Sequence, residues 1–166
     1  METLLWRFQS LKSSEYGLLR DLMDKGVADG PKIHRIIEQV VVDRLTMAKE
    51  RLDFVRSIPL DTEIRQKIAL SLNYSAMYQA ARAAGFHTSR EDVDHHERLA
   101  THIGSIFGKD DEDRITFWRR VRNEVDYAPY PRLDKPLAEL SKQSILETGY
   151  FIDKMVDYLR KRGVQL

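Results

Sequence analysis

Cysteine is absent from the 166 residues, so the chain has no disulfide framework, no thiolate metal site and no cysteine nucleophile. Proline and glycine are few, at 5 and 8, which excludes collagen-like and low-complexity classes. No run of about 18 apolar residues occurs, so no segment is expected to span a membrane. Neither sign of charge dominates: 27 Lys+Arg stand against 26 Asp+Glu, for a formal net charge of +1. That balance argues against a basic nucleic-acid-binding tail but leaves room for a local basic groove. Met1 to Arg7 lack the charged-then-apolar order of a signal peptide, and a soluble cytoplasmic protein is the expectation. Also missing are internal repeats, a Gly-x-Ser-x-Gly elbow, a phosphate-cradling glycine loop, and the sustained alternation that marks strands.

Hydrophobic residues make up 42% of the chain, and their period is helical nearly throughout. From Glu2 to Lys25, the apolar positions Leu4, Leu5, Phe8, Leu11, Leu18, Leu19 and Leu22 read as one or two helices broken near Ser13-Ser14. The stretch Gly26–Gly30 stops them, and Pro31 suits the first turn of a long helix ending before Pro59. Asp61 is the expected N-cap of a helix over 62–84, closed by Gly85 and rich in small residues that let a neighbour approach closely. Thr88 and Glu91 have capping-box spacing for a third helix ending at Gly108. Four acids, Asp110 to Asp113, open a fourth helix, with Ile115, Trp118, Val121 and Val125 as its buried stripe. Tyr127-Ala128-Pro129-Tyr130-Pro131 breaks that helix, and the last one runs from near Pro136 to a stop at Gly163. The reading is an all-α antiparallel bundle over 31–166 with an N-terminal helical arm over 1–30.

The strongest local signal for chemistry is Phe117 to Tyr127. With Val121 and Val125 in the core, Arg119, Arg122, Asn123 and Asp126 share the opposite side of one helix. A guanidinium there can hold phosphate bidentately, with an amide from Asn123 and a phenol from Tyr127. A plain surface pairing of Arg122 with Asp126 explains the same spacing. Asp92, His95 and His102 fall on one face of the expected third helix, so a metal site is thinkable; surface histidines beside an acidic first turn are the simpler account, and no metal or cofactor is expected. Tyr74 and Tyr78 read as core or interface aromatics, and the Trp6 and Phe8 arm as a docking element for its own bundle or a twin subunit.

The helix order from Ile33 to Arg162, the helix Asp43 to Leu52, the tyrosine-bearing stretch Ser71 to Ala83 and the amphipathic last helix together resemble a HEPN domain. The functional motif of that family is Arg, a polar residue, a short spacer and His, on a helix facing its twin across a dimer. Arg122-Asn123 match the first two positions, but Asp126-Tyr127 stand where the histidine is expected, as in a divergent branch. Arg90 and His95 match the motif formally and are set aside as a decoy on the preceding helix. The resemblance implies a homodimer that binds RNA or a nucleotide, and a metal-independent ribonuclease of toxin–antitoxin or defence type. Arg122, Asp126 and Tyr127 are its catalytic candidates, and Asn123, Arg119 and Tyr130 its substrate-binding ones. Phenol and carboxylate titrate far from neutrality, so either replaces histidine only with a strong pKa shift or at lower rate. The alternative is a non-catalytic helical module paired with an antitoxin or a nucleotidyltransferase.

Overall fold

Proline or a capping side chain sets the start of several helices, and the apolar stripes set which faces turn inward. The computed structural model describes residues 8–166; Leu4, Leu5 and Trp6 of the expected arm lie outside them. Six helices are delimited among the described residues, in order: α1 (Ser13–Asp24), α2 (Gly30–Ser57), α3 (Glu63–Ser89), α4 (His96–Phe107), α5 (Lys109–Tyr127) and α6 (Leu137–Arg160). The described residues contain no strand, so the fold is all-α. None of these helices is long and apolar enough to cross a membrane.

Pro31 sits in the first turn of α2, and the Asp29 carboxylate accepts from the Lys32 N–H at 3.0 Å. Three expectations at the ends of α3 and α4 are corrected. Thr62, not Asp61, caps α3, because Asp61 is taken by the Arg65 guanidinium at 2.7 Å. The helix does not stop at Gly85 but runs to Ser89, closed by Arg90 at a left-handed φ of 57°. Gly85 is instead a buried packing position, where a Cβ would lie 3.0 Å from His102 Cδ2 of α4. The Thr88–Glu91 capping box does not form: the Thr88 hydroxyl donates to the Ala84 carbonyl at 2.9 Å, and α4 begins only at His96.

Side-chain pairs give the helix directions. Arg44 meets the Arg82 carbonyl and Arg51 meets Ser75, so α2 and α3 are antiparallel. Asp111 meets Lys154 and Trp118 meets Glu147, so α5 and α6 are antiparallel too. Asn73 meets Ser144 and Thr88 meets Tyr158, so α3 and α6 run parallel. The central element is α3, packed against α2, α4, α5 and α6. Neighbours on most sides explain its small-residue face: Ala69, Ala76, Ala80, Ala81, Ala83 and Ala84 are all fully buried within this one chain. Ile115, Trp118, Val121 and Val125 of α5 are buried as their spacing predicts.

The described part of the arm lies on the bundle. Phe8 and Leu11 are buried, the Leu11 carbonyl accepts from the Asp92 N–H at 2.7 Å, and the Gln9 carbonyl accepts from Arg44. One of the four acids at the start of α5 is not a solvated dipole partner. Asp111 is buried and ion-paired with Arg114 at 2.7 Å and with Lys154.

Candidate functional site

The segment between α3 and α4 determines the site. After Arg90 the chain turns back along α3 as a strap: Asp92 pairs with Arg82, Tyr78 donates to the Asp94 carbonyl, and Tyr74 meets His96. Two residues of extended chain advance about 6.6 Å and one turn of helix about 5.4 Å, so steps of two on the strap match steps of four on α3. His95 has the extended torsions this requires, φ −86° and ψ 119°. The anchor is Asp92, whose carboxylate is nearly inaccessible and is shared between Arg44 at 2.8 Å and Arg82. Burial lowers the Arg44 pKa to about 10 despite Asp92, which leaves it charged at neutral pH. The expected common face for Asp92, His95 and His102 therefore does not exist, since Asp92 and His95 precede the helix. Among the described residues no three His, Asp or Glu side chains gather as a metal site.

At the low end of the strap lies an open groove of about 350 Å³. Arg51 of α2, Ser71, Tyr74 and Tyr78 of α3, His96 at the start of α4, and Arg122 and Asp126 of α5 line it. Its aromatic wall is a cluster: the Tyr78 and His96 rings are 4.3 Å apart between centroids, and Tyr74 stands 5.6 Å from His96. The Tyr74 hydroxyl and His96 Nδ1 are 2.5 Å apart. Burial raises the pKa of both tyrosines, so they remain phenols at neutral pH. Burial lowers that of His96, and the positive charges of Arg119, Arg122, His95 and Arg82 lower it further.

On the opposite wall Arg122 Nε meets Asp126 at 2.6 Å, with the two side chains 28% and 25% exposed. The Arg122 guanidinium also donates to the Asn123 side-chain carbonyl at 3.3 Å and covers the Tyr127 ring at 4.9 Å. Asp126 in turn accepts from the Ser71 hydroxyl. The Arg122–Asp126 pair is thus real, but it faces a groove rather than open surface. Arg51 donates to the Ser75 hydroxyl at 2.7 Å.

Of the six residues singled out from sequence, Arg122 and Asp126 line the groove. Arg119 lies beside it, paired with Glu97 at 3.0 Å, and Asn123 supports Arg122. Tyr127 and Tyr130 are 70% and 88% exposed and are not among the residues that line it, although the Tyr127 ring packs under Arg122. Sequence reasoning missed Arg51, Ser71 and above all His96 as site residues, and read Tyr74 and Tyr78 as packing aromatics only. The usable signal was the matched spacing of Asp92, Asp94 and His96 with Arg82, Tyr78 and Tyr74. A smaller cleft of about 180 Å³ between α5 and the segment before α6 is walled by Phe117, Val121, Leu133 and Leu140. Arg120, Glu124, Arg132, Asp134 and Lys135 also line it, but Phe117 is its one aromatic ring and Arg120 is paired with Asp134 at 2.6 Å. Comparisons with protein-family models, with curated proteins and with solved structures return no match to this chain.

Proposed function

We propose that this protein is a HEPN-like RNA- or nucleotide-binding protein whose groove acts on a phosphate backbone, as a weak metal-independent ribonuclease of toxin–antitoxin or defence type. One observation carries the reading: two guanidiniums, Arg51 and Arg122, share a groove with a cluster of aromatic rings and only one lining carboxylate. Cations that hold phosphate beside rings that stack on bases are the physical requirements of single-stranded nucleic-acid binding. Arg122 stabilises charge developing on the phosphate, and Asp126, held by Ser71, fixes the guanidinium plane. In a homodimer, two such grooves would act on one strand.

The test is cleavage of an end-labelled RNA pool in EDTA by wild type and Arg122→Ala at matched concentration. Cleavage by wild type, reduced about 100-fold or more in the variant, is expected from the loss of a transition-state donor. Equal cleavage by both proteins removes Arg122 from the mechanism and sinks the proposal.

A second reading, a non-catalytic module that binds an antitoxin, a nucleotidyltransferase or another protein, draws on an apolar trench beside the groove. There Ile64 and Ile68 of α3 lie exposed next to Leu72. Ile68→Glu tests it: loss of a protein partner with RNA binding intact favours this second reading.

A further inference from the structure

The Tyr74 phenol is buried, and its hydroxyl meets His96 Nδ1 as its hydrogen-bond partner among the described residues. A buried hydroxyl needs an acceptor for its proton, and a neutral imidazole offers one on its unprotonated nitrogen. With Nδ1 accepting from Tyr74, the imidazole proton belongs on Nε2. That nitrogen points away from Tyr74 and makes no hydrogen bond among the described residues, while the ring it belongs to lines the groove with Arg122. The charged and titratable groups that bear on the ring or share its groove are Tyr74, Tyr78 and Arg82 of α3, Arg119, Arg122 and Asp126 of α5, Arg51 of α2, and His95 beside it. The one carboxylate lining the groove, Asp126, is held by Arg122 and Ser71, and none of these groups hydrogen-bonds Nε2.

We infer that His96 is a ligand-contacting residue of this groove, its Nε2–H and the Arg122 guanidinium together gripping one phosphate ester of the bound nucleotide or RNA, with Tyr74 as the positioning residue that sets the imidazole tautomer. The inference rests on the proposed nucleotide- or RNA-binding role of the groove and adds a donor that the α5 motif lacks. The histidine missing from α5 is thereby replaced by one from the start of α4, delivered by the strap. His96 here is a donor to phosphate oxygen, a role that a neutral imidazole fills without taking up a proton.

The test uses the full chain, ¹⁵N-labelled at histidine. Nitrogen shifts of His96 are followed by NMR while inorganic phosphate, uridine 3′-monophosphate or a short oligoribonucleotide is added. The free protein is expected to show the Nε2–H tautomer, and a bound phosphate to shift the Nε2 resonance and raise the His96 pKa. Saturation by the monophosphate identifies a free nucleotide as sufficient, saturation by inorganic phosphate as well shows that the phosphate group alone is gripped, and saturation by the oligoribonucleotide alone identifies RNA. His96→Ala is expected to weaken the ester roughly tenfold, the worth of one charge-assisted hydrogen bond, and His96→Gln to recover most of it through its side-chain N–H.

An Nδ1–H tautomer, or wild-type affinity in His96→Ala, overturns the role of His96. If Arg122→Ala still abolishes binding in that case, the proposed function survives without it. If no phosphate compound binds wild type, both fall.

Discussion

Single atoms decide how closely α4 can approach its neighbours. At Gly104 of α4, a Cβ would stand 2.9 Å from the Cβ of Glu112 on α5 and 2.6 Å from its carboxylate. The carboxylate can swing away, but the Glu112 Cβ is fixed to its helix. Gly104→Ala is expected to destabilise by about 1–2 kcal/mol, an overpacking cost of roughly 1–3 kcal/mol reduced by the better helix propensity of alanine. Gly17 is the opposite case, since nothing lies within 4 Å of its would-be Cβ inside α1. Gly17→Ala should therefore raise stability by about 0.5–1 kcal/mol. Urea unfolding of the two variants checks both signs, and a stabilising Gly104→Ala would mean that α4 and α5 are further apart than described. These residues could not be sorted from sequence, because a helical glycine looks the same whether a neighbouring helix touches it or not.

Among the elements, the strap has the largest consequence for the site. It descends α3 because Asp92 is buried between Arg44 and Arg82, with Leu11 closing over its backbone. Removing the carboxylate leaves two guanidiniums buried without their counter-charge. Asp92→Asn is expected to cost about 3–5 kcal/mol, the usual penalty for breaking one side of a buried pair. The same variant should loosen the Tyr74–His96 contact, read as a change in the His96 nitrogen shifts under conditions where the protein is still folded. Unchanged stability would show that the strap is held by its other contacts, the packing of Val93 and the hydrogen bonds to Leu11 and Tyr78. The helices themselves were legible in the sequence. Pro31, Pro59, the Tyr127–Pro131 break and Pro136 fall where chains leave or enter helices, and the apolar stripes of α2, α5 and α6 are the buried ones. The ends of α3 and α4 were misread because local spacing favoured a stop at Gly85 and a capping box at Thr88. Packing against α4 used Gly85, and Tyr158 and Ala84 used Thr88.

For the molecule as a whole, acid is the informative stress. Burial pushes the His87 pKa down to about 4, and Arg90 and Arg162 push it the same way. The unfolded chain takes up that proton near pH 6.5 and the folded chain only near pH 4, so between those values protons favour unfolding. Stability at this group is full above pH 6.5 and falls as pH drops toward 4. His96, also lowered, adds in the same direction. His87→Gln should flatten the decline of the thermal midpoint between pH 6.5 and pH 4.5, a window above the titration of most carboxylates. Calorimetry across that range checks it, and parallel curves for the two proteins would place His87 in contact with water in the folded state.

The amino-acid order was enough to establish an all-helical chain, the segments that form most helices, the stripes that enter the core, and Arg122 and Asp126 as neighbours on one face. All of these follow from interactions between residues a few positions apart, and such interactions are readable from spacing. The groove was not readable in this way. Arg51, Tyr74, His96 and Arg122 come from four helices, and what gathers them is a set of pairs distant in the chain, such as Arg44 with Asp92 and Ser71 with Asp126. A carboxylate in a sequence carries no mark of the guanidinium it will meet. Only when α2, α3 and the strap are packed does Asp92 find its two partners, and with them His96 reaches the wall opposite Arg122.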